Sequence, residues 1–184
     1  MDKIVLASAS PRRRSLLENY GYELTVVRSE FDERAVNERD PERLVTALAR
    51  GKNAAVRDGY PGMTVLSADT VVAIDGEILG KPKDRDEAFS MLRRLSDSTH
   101  TVFTGVCVYK NGEERTFCAK TDVTFYKLSE HQIERYVDSG SPFDKAGGYG
   151  VQDDMGVAFV KNVDGELSNV IGLPMERTVK ELDR

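Results

Sequence analysis

Cysteine is nearly missing from this 184-residue chain: it occurs only as Cys107 and Cys118. Two cysteines cannot frame a disulfide-stapled small fold, and these two do not stand in a metal-ligand spacing. Both fall in predicted neighbouring strands, where a cross-strand meeting is open, and they are expected as two reduced, buried thiols. Histidine is as scarce: His100 and His131 are read as surface residues, and no serine–histidine or cysteine–histidine pairing stands out. Long apolar runs are missing too, which excludes a membrane-spanning helix. The first residues lack the charged-then-apolar pattern of a secretory signal, so a cytoplasmic protein is expected. There is no basic excess. The formal net charge is −5, which argues against a general nucleic-acid binder but leaves room for a small phosphate ligand on a local basic cluster. Neither a Walker-type phosphate loop nor a kinase signature is present, and no repeat or low-complexity segment occurs. An apolar content of 40% is enough for a proper core, so one α/β domain or two closely packed lobes is expected.

What is present centres on Ser8-Ala9-Ser10-Pro11-Arg12-Arg13-Arg14. The apolar run Ile4-Val5-Leu6-Ala7 before it reads as a buried strand. Leu16, Leu17 and Tyr20 after it recur at helical spacing. Ser10 can cap that helix, and Pro11 suits its first turn. A helix start presents free N–H groups and partial positive charge, so hydroxyls and guanidinium groups gathered there outline an anion site. Helical geometry sorts the arginines. With Leu16 at 0°, Leu17 falls at about 100°, Tyr20 at about 40° and Arg13 at about 60°, inside the apolar arc. Arg12 lies at the edge of that arc and Arg14 on the far side. A guanidinium on the buried face needs a partner, and a phosphate is a natural one.

Further along, Tyr22 to Arg28 reads as a strand. Ser29 to Arg34 is a polar loop with three carboxylates around Phe31. Asp40-Pro41 opens a helix whose predicted buried stripe is Leu44, Val45, Leu48, Ala55 and Val56. Lys52 projects into that stripe, so it either snorkels outward or meets an anion inside. Thr64 to Ile74 is the most strand-like run of the chain, and Asp69 interrupts it. Aspartate is disfavoured in strands and costly in a core unless paired. It is read as a carboxylate at a strand end, serving as base or metal ligand, against the alternative of a bulge or turn. Asp75-Gly76 and Asn111-Gly112 are hairpin signals. The first returns the chain through Glu77–Leu79 to Gly80-Lys81-Pro82, where Lys81 sits on a constrained loop. An amphipathic helix is predicted over Asp84 to Ser96, strands over Thr101 to Lys110 and Arg115 to Lys127, and a helix opened by a Ser129/Gln132 capping box. The glycine-rich loop Ser139 to Gln152 lets backbone approach a ligand, and Gln152 carries an amide able to pair with a base edge. Val157 to Val163 reads as a strand, and Pro174 starts the last helix.

Several inward cations suit a polyphosphate, and carboxylates suit a divalent metal bridging its oxygens. The residues alone thus indicate a metal-dependent enzyme acting on a phosphorylated small molecule.

In combination and in order, Ser8-Ala9-Ser10-Pro11-Arg12-Arg13, Phe31-Asp32-Glu33, Ala49-Arg50-Gly51-Lys52, Ser67-Ala68-Asp69-Thr70-Val71-Val72, Gly80-Lys81-Pro82 and Gly172-Leu173-Pro174 resemble the Maf family. Asp144-Lys145-Ala146-Gly147 with Tyr149-Gly150-Val151-Gln152 resembles its dTTP/UTP pyrophosphatase branch. Where family members often have glycine after the glutamine, this chain has Asp153-Asp154. The resemblance spans residues 1–184 as one domain. It implies an α/β fold with an elongated mixed sheet, flanking helices and two lobes around a cleft, similar to inosine triphosphate pyrophosphatases. It implies hydrolysis of dTTP and UTP to the monophosphate and pyrophosphate, as housecleaning of non-standard nucleotides, with Mg²⁺ or Mn²⁺. It makes Asp69 the proton acceptor, Arg12, Thr70 and Gln152 the specificity positions, and Ser8, Arg13, Glu33, Lys52 and Lys81 further polar site residues. Asp69 and Glu33 are the expected metal ligands. The expected partner is the nucleoside triphosphate, without nucleic acid or membrane, and a homodimer is compatible with the family. Two other readings stay open: hydrolysis of 7-methyl-GTP or another modified nucleotide, and a nucleotide-binding regulator of septum formation without turnover.

Overall fold

The computed structural model describes residues 3–184. In chain order the elements are β1 (Lys3–Leu6), α1 (Pro11–Asn19), β2 (Glu23–Val26), α2 (Pro41–Arg57), β3 (Thr64–Ile74), β4 (Glu77–Leu79), α3 (Arg85–Leu95), β5 (Thr99–Lys110), β6 (Glu113–Phe125), α4 (Glu130–Asp138), α5 (Asp154–Val157), β7 (Val160–Asp164), α6 (Leu167–Ile171) and α7 (Met175–Leu182). The strands form a seven-stranded mixed sheet in the order β2-β1-β3-β5-β6-β7, with β4 on β3. β1 lies parallel to both β2 and β3, whereas β4 on β3 and β7 on β6 are antiparallel. The expected α/β class and mixed sheet are therefore present. Among the described residues no helix is long and apolar enough to cross a membrane.

The helix starts are written in local chemistry. Ser10, Asp40, Asp84 and Ser129 each accept the backbone N–H three residues on, which satisfies one otherwise orphaned donor. Asp75-Gly76 and Asn111-Gly112 turn with positive φ at both residues, as tight hairpins require.

The chain divides into two compact units. One takes in the described residues up to Thr70, Thr104–Ala119 and Gly172–Arg184; the other takes in Val71–Phe103 and Lys120–Ile171. In the first unit, β1 is buried on both faces, as a parallel strand with cover on each side should be. Ile4 and Leu6 join Leu17, Leu66, Met175 and Leu182, while Val5 and Ala7 pack with Val56 and Val65. The helix α2 is fastened to this sheet by polar side chains. Buried Asn53 donates from Nδ2 to the carbonyls of Val65 (2.9 Å) and Cys107 (3.1 Å), and Ser67 Oγ donates to the Ala49 carbonyl at 2.7 Å. The second unit has its own core, in which Ala88, Leu92 and Leu95 of α3 and Ile133, Tyr136 and Val137 of α4 meet Phe125, Tyr149 and Phe159.

Several expectations are corrected. Tyr20 is exposed, because the helix ends at Asn19 and helical projection no longer applies. Ala55 is exposed as well: Asn53 is buried, which turns the covered stripe of α2 further round the helix. The strand expected over Val157 to Val163 starts only at Val160, since Asp153 caps the short α5 ahead of it. His100 is not a surface residue but 2% exposed, on the inward face of β5 shared with Val102. Its Nε2 lies 2.6 Å from the Tyr149 hydroxyl, and its ring meets Phe125 and Tyr149 edge-on. His131 is exposed, as expected. Both cysteines are free thiols, but only Cys107 is buried as expected, which pushes its pKa up to about 11; Cys118 is half-buried.

Candidate active site

The strand-to-helix junction at Ser8–Pro11 sets the first group. Arg13 is on the inner side of α1 and only 9% exposed. Its guanidinium donates from Nε to the Gly172 carbonyl (2.8 Å), from Nη1 to Ser8 Oγ (3.0 Å) and from Nη2 to Thr70 Oγ1 (2.9 Å). Ser8 Oγ also accepts the Ser10 N–H, and Thr70 Oγ1 lies 2.9 Å from Thr104 Oγ1. Burial lowers the Arg13 pKa; the negative charges of Asp69 and then Glu33 oppose this, and Arg12 adds to it. These three bonds engage Nε, Nη1 and Nη2 of the guanidinium among the described residues.

Lys52 organises the second group. Its side chain is 12% exposed, and Nζ lies 2.5 Å from Asp69 Oδ1 and 2.9 Å from Glu33 Oε1. Of the two expectations for Lys52, snorkelling is therefore set aside: it meets anions inside the fold. Asp69 lies within the unbroken strand β3, not at a strand end. Strand alternation places it on the same side as Ser67, which touches α2, so its carboxylate is directed to the helix that carries Lys52. An aspartate in mid-strand is tolerated because that cation awaits it.

Glu33 reaches the cluster from a loop that is itself moored. The Phe31 ring sits against α2 at Gly51, where a Cβ would come within 2.3 Å of a ring carbon. Glycine in a helix interior costs about 1 kcal/mol relative to alanine. Here it makes the notch for Phe31, two residues before Glu33. The Asp32 side chain then accepts the Arg34 N–H and starts the single turn Glu33–Ala35.

The structure thus brings Ser8, Arg13 and Thr70 into one hydrogen-bonded group and Glu33, Lys52 and Asp69 into another, both in the first unit. Arg12, half-buried, adjoins Arg13 there. Lys81 and Gln152 are exposed residues of the second unit, and neither belongs to these groups. Lys81 follows β4, whose ladder on β3 ends at Val72↔Leu79. Sequence reading missed Thr104, Asn53, Ser67 and the Phe31–Gly51 seat. Gly51 directly before Lys52 was the available signal, because a mid-helix glycine calls for a packing reason.

Among the described residues no three His, Cys, Asp or Glu side chains come together as a metal cage. Two carboxylates, Asp69 and Glu33, converge on the Lys52 ammonium. That donor set fits a magnesium-like ion, which takes one or two protein carboxylates and completes its shell with phosphate oxygens and water.

Residues 3–184 match the family model described as Maf-like protein. A dTTP/UTP pyrophosphatase of Symbiobacterium thermophilum is 47% identical over 99% of this chain and 93% of its own length. One of Geobacillus sp. (strain WCH70) is 44% identical over 100% of this chain and 98% of its own. The solved Staphylococcus aureus Ham1 protein overlaps 67% of this chain and 72% of its own, at 13% identity and a TM-score of 0.49, a likeness too slight to bear on the site. Matched by the family model over all its described residues, and by relatives this similar, the chain belongs to the Maf-like protein family.

Proposed function

We propose that this chain is a nucleoside triphosphate pyrophosphatase that hydrolyses dTTP and UTP to the monophosphate and pyrophosphate. The observation that carries the reading is Lys52 held between Asp69 and Glu33 beside a buried Arg13, in a chain 47% identical to a protein named for this activity. Lys52 Nζ fixes Asp69 through Oδ1, so Oδ2 is the oxygen to take the proton of the attacking water. Water oxygen bonds to the α-phosphorus, the α–β bridging P–O bond breaks, and pyrophosphate leaves with the electron pair. Lys52 and the Arg13 guanidinium offset the charge that grows on the leaving group. Lys81 is assigned the same part. Arg12, Thr70 and Gln152 select the base and sugar, with Ser8 holding Arg13 in place.

Asp69 and Glu33 would hold Mg²⁺ or Mn²⁺, with Lys52 remaining between the two carboxylates. When bound, the ion supplies Lewis-acid polarisation of phosphoryl oxygens.

The test is pyrophosphate release with Mg²⁺ or Mn²⁺ from dTTP, UTP, dCTP, dGTP, ATP and 7-methyl-GTP, with Asp69→Asn as control. Turnover should favour dTTP and UTP and fall by about 10²–10⁴-fold in the control. A preference for 7-methyl-GTP refutes the substrate assignment. Bound dTTP without turnover in either metal refutes the enzyme and favours a nucleotide-responsive regulator.

A further inference from the structure

The segment that carries Gln152 is closed by a neighbouring side chain that the chemistry above does not use. In the second unit, Gly150 and Gly156 touch: a Cβ on Gly156 would lie 2.0 Å from the Gly150 carbonyl oxygen. The chain leaves this point and returns to it, with exposed Gln152 on the excursion between. Asp153 ties both ends. Its Oδ1 accepts the Gly156 N–H at 2.6 Å and caps α5. Its Oδ2 accepts the Tyr136 hydroxyl at 2.8 Å and the Ser141 hydroxyl at 2.9 Å. The Tyr136 oxygen in turn accepts the Gly150 N–H at 3.1 Å.

One carboxylate therefore holds Gly156 directly and Gly150 through a phenol. The anchor does not move easily. Tyr136 is fully buried on α4, and its ring packs edge-on against Phe159. Ser141 is held from the other side by Lys145, whose Nζ donates to the Ser141 carbonyl at 2.5 Å and to Oγ at 3.2 Å. Burial, more than any neighbouring group, pushes the Tyr136 pKa up, so the phenol remains a donor at every working pH.

An amide such as Gln152 discriminates bases only when its donor and acceptor are fixed, because a site left loose by an ångström loses its hydrogen-bond geometry. We propose that Asp153 is a positioning residue for substrate specificity: it fixes the backbone that presents Gln152, and thereby the preference for a uracil- or thymine-type base. This rests on the reading of Gln152 as the residue that meets the base.

The experiment is steady-state pyrophosphate release by the full chain with dTTP and dATP, for Gln152→Ala, Asp153→Ala and Asp153→Asn, beside thermal melting of each. A site built to hydrogen-bond its substrate loses discrimination by orders of magnitude when the bond is lost outright, and loosening costs part of that. For Asp153→Ala the dTTP KM should rise about tenfold with a much smaller change in kcat, and the dTTP:dATP ratio of kcat/KM should fall about tenfold. Asn keeps an acceptor for the Gly156 N–H but cannot receive both hydroxyls. Asp153→Asn should move the ratio in the same direction, by about threefold, and it carries the test if the alanine variant does not fold. A purely structural role would lower kcat on both substrates together and leave the ratio unchanged, which overturns the inference. If Gln152→Ala leaves the ratio unchanged, the reading of Gln152 fails and the inference with it. If Gln152→Ala collapses the ratio while both Asp153 variants keep it, only the inference fails.

Discussion

Acid should weaken this protein through a single side chain before its carboxylates titrate. Burial among Phe125 and Tyr149 lowers the His100 pKa from 6.5 to about 4, against a smaller upward pull from Asp122. The charged imidazolium is disfavoured there because it would lie in an apolar cluster, and Nδ1 has no hydrogen-bond partner among the described residues. Between those two values the unfolded chain binds more protons than the folded one, so stability rises with pH. The contribution is complete above about pH 6.5 and is lost as the pH falls towards 4. At pH 5 the loss comes to about 2 kcal/mol relative to neutral pH, which for a chain of this size lowers Tm by about 4–8 °C. The depressed carboxyl groups of Glu38 and Glu114 act only at lower pH, so pH 5 to 7 isolates the histidine. The assay is urea or thermal unfolding at pH 7 and pH 5, for the natural chain and for His100→Phe/Tyr149→Phe. The double change keeps the aromatic packing and removes both ends of the 2.6 Å hydrogen bond, so no polar atom of that pair is orphaned. If the double variant loses as much stability between pH 7 and pH 5 as the natural chain, His100 is not the titrating group.

Two further outcomes concern the site. Lys52→Ala should lower turnover by ~10²–10³-fold, in the range of a lost transition-state donor, whereas a loss under about tenfold in kcat would show that Lys52 only pairs carboxylates. Gly51→Ala should destabilise by about 1–3 kcal/mol despite the better helix propensity of alanine, because the Phe31 ring must leave its seat. Adding Phe31→Leu should recover part of that stability but not the activity, as Glu33 loses its mooring; equal melting of Gly51→Ala and the natural chain would refute the seat.

What could be read in advance was whatever chemistry is local. Ser10-Pro11, Asp40-Pro41 and Ser129/Gln132 announce helices because a cap and its target lie within one turn. Arg13 and Lys52 could be placed inward because helical spacing is a fixed angle, and both are indeed covered. The misreadings involve partners far along the chain. His100 is buried because Tyr149, 49 residues on, takes its Nε2. Asn53 can be covered because Val65 and Cys107 present carbonyls to it. Asp69 sits within a strand because Lys52 reaches it from another element, a compensation strand propensity does not contain. Asp153 stood out only as a departure from a glycine, and its ties to Tyr136 and Ser141 are properties of the folded loop.

The hydrogen bond from Arg13 to the Gly172 carbonyl joins residues 159 positions apart. Its consequence falls on the ribosome. While the chain is being made, the strand and helix that frame Arg13 emerge first, yet the guanidinium has no such acceptor until residue 172 has been added. Met175 and Leu182, which cover Ile4 and Leu6, follow later still. The second unit is encoded wholly before Gly172, whereas the unit holding Lys52 and Asp69 needs the residues from Gly172 onward. A nascent chain stalled before Gly172 should therefore carry every carboxylate and lysine of the site and still lack the closed arginine that completes it.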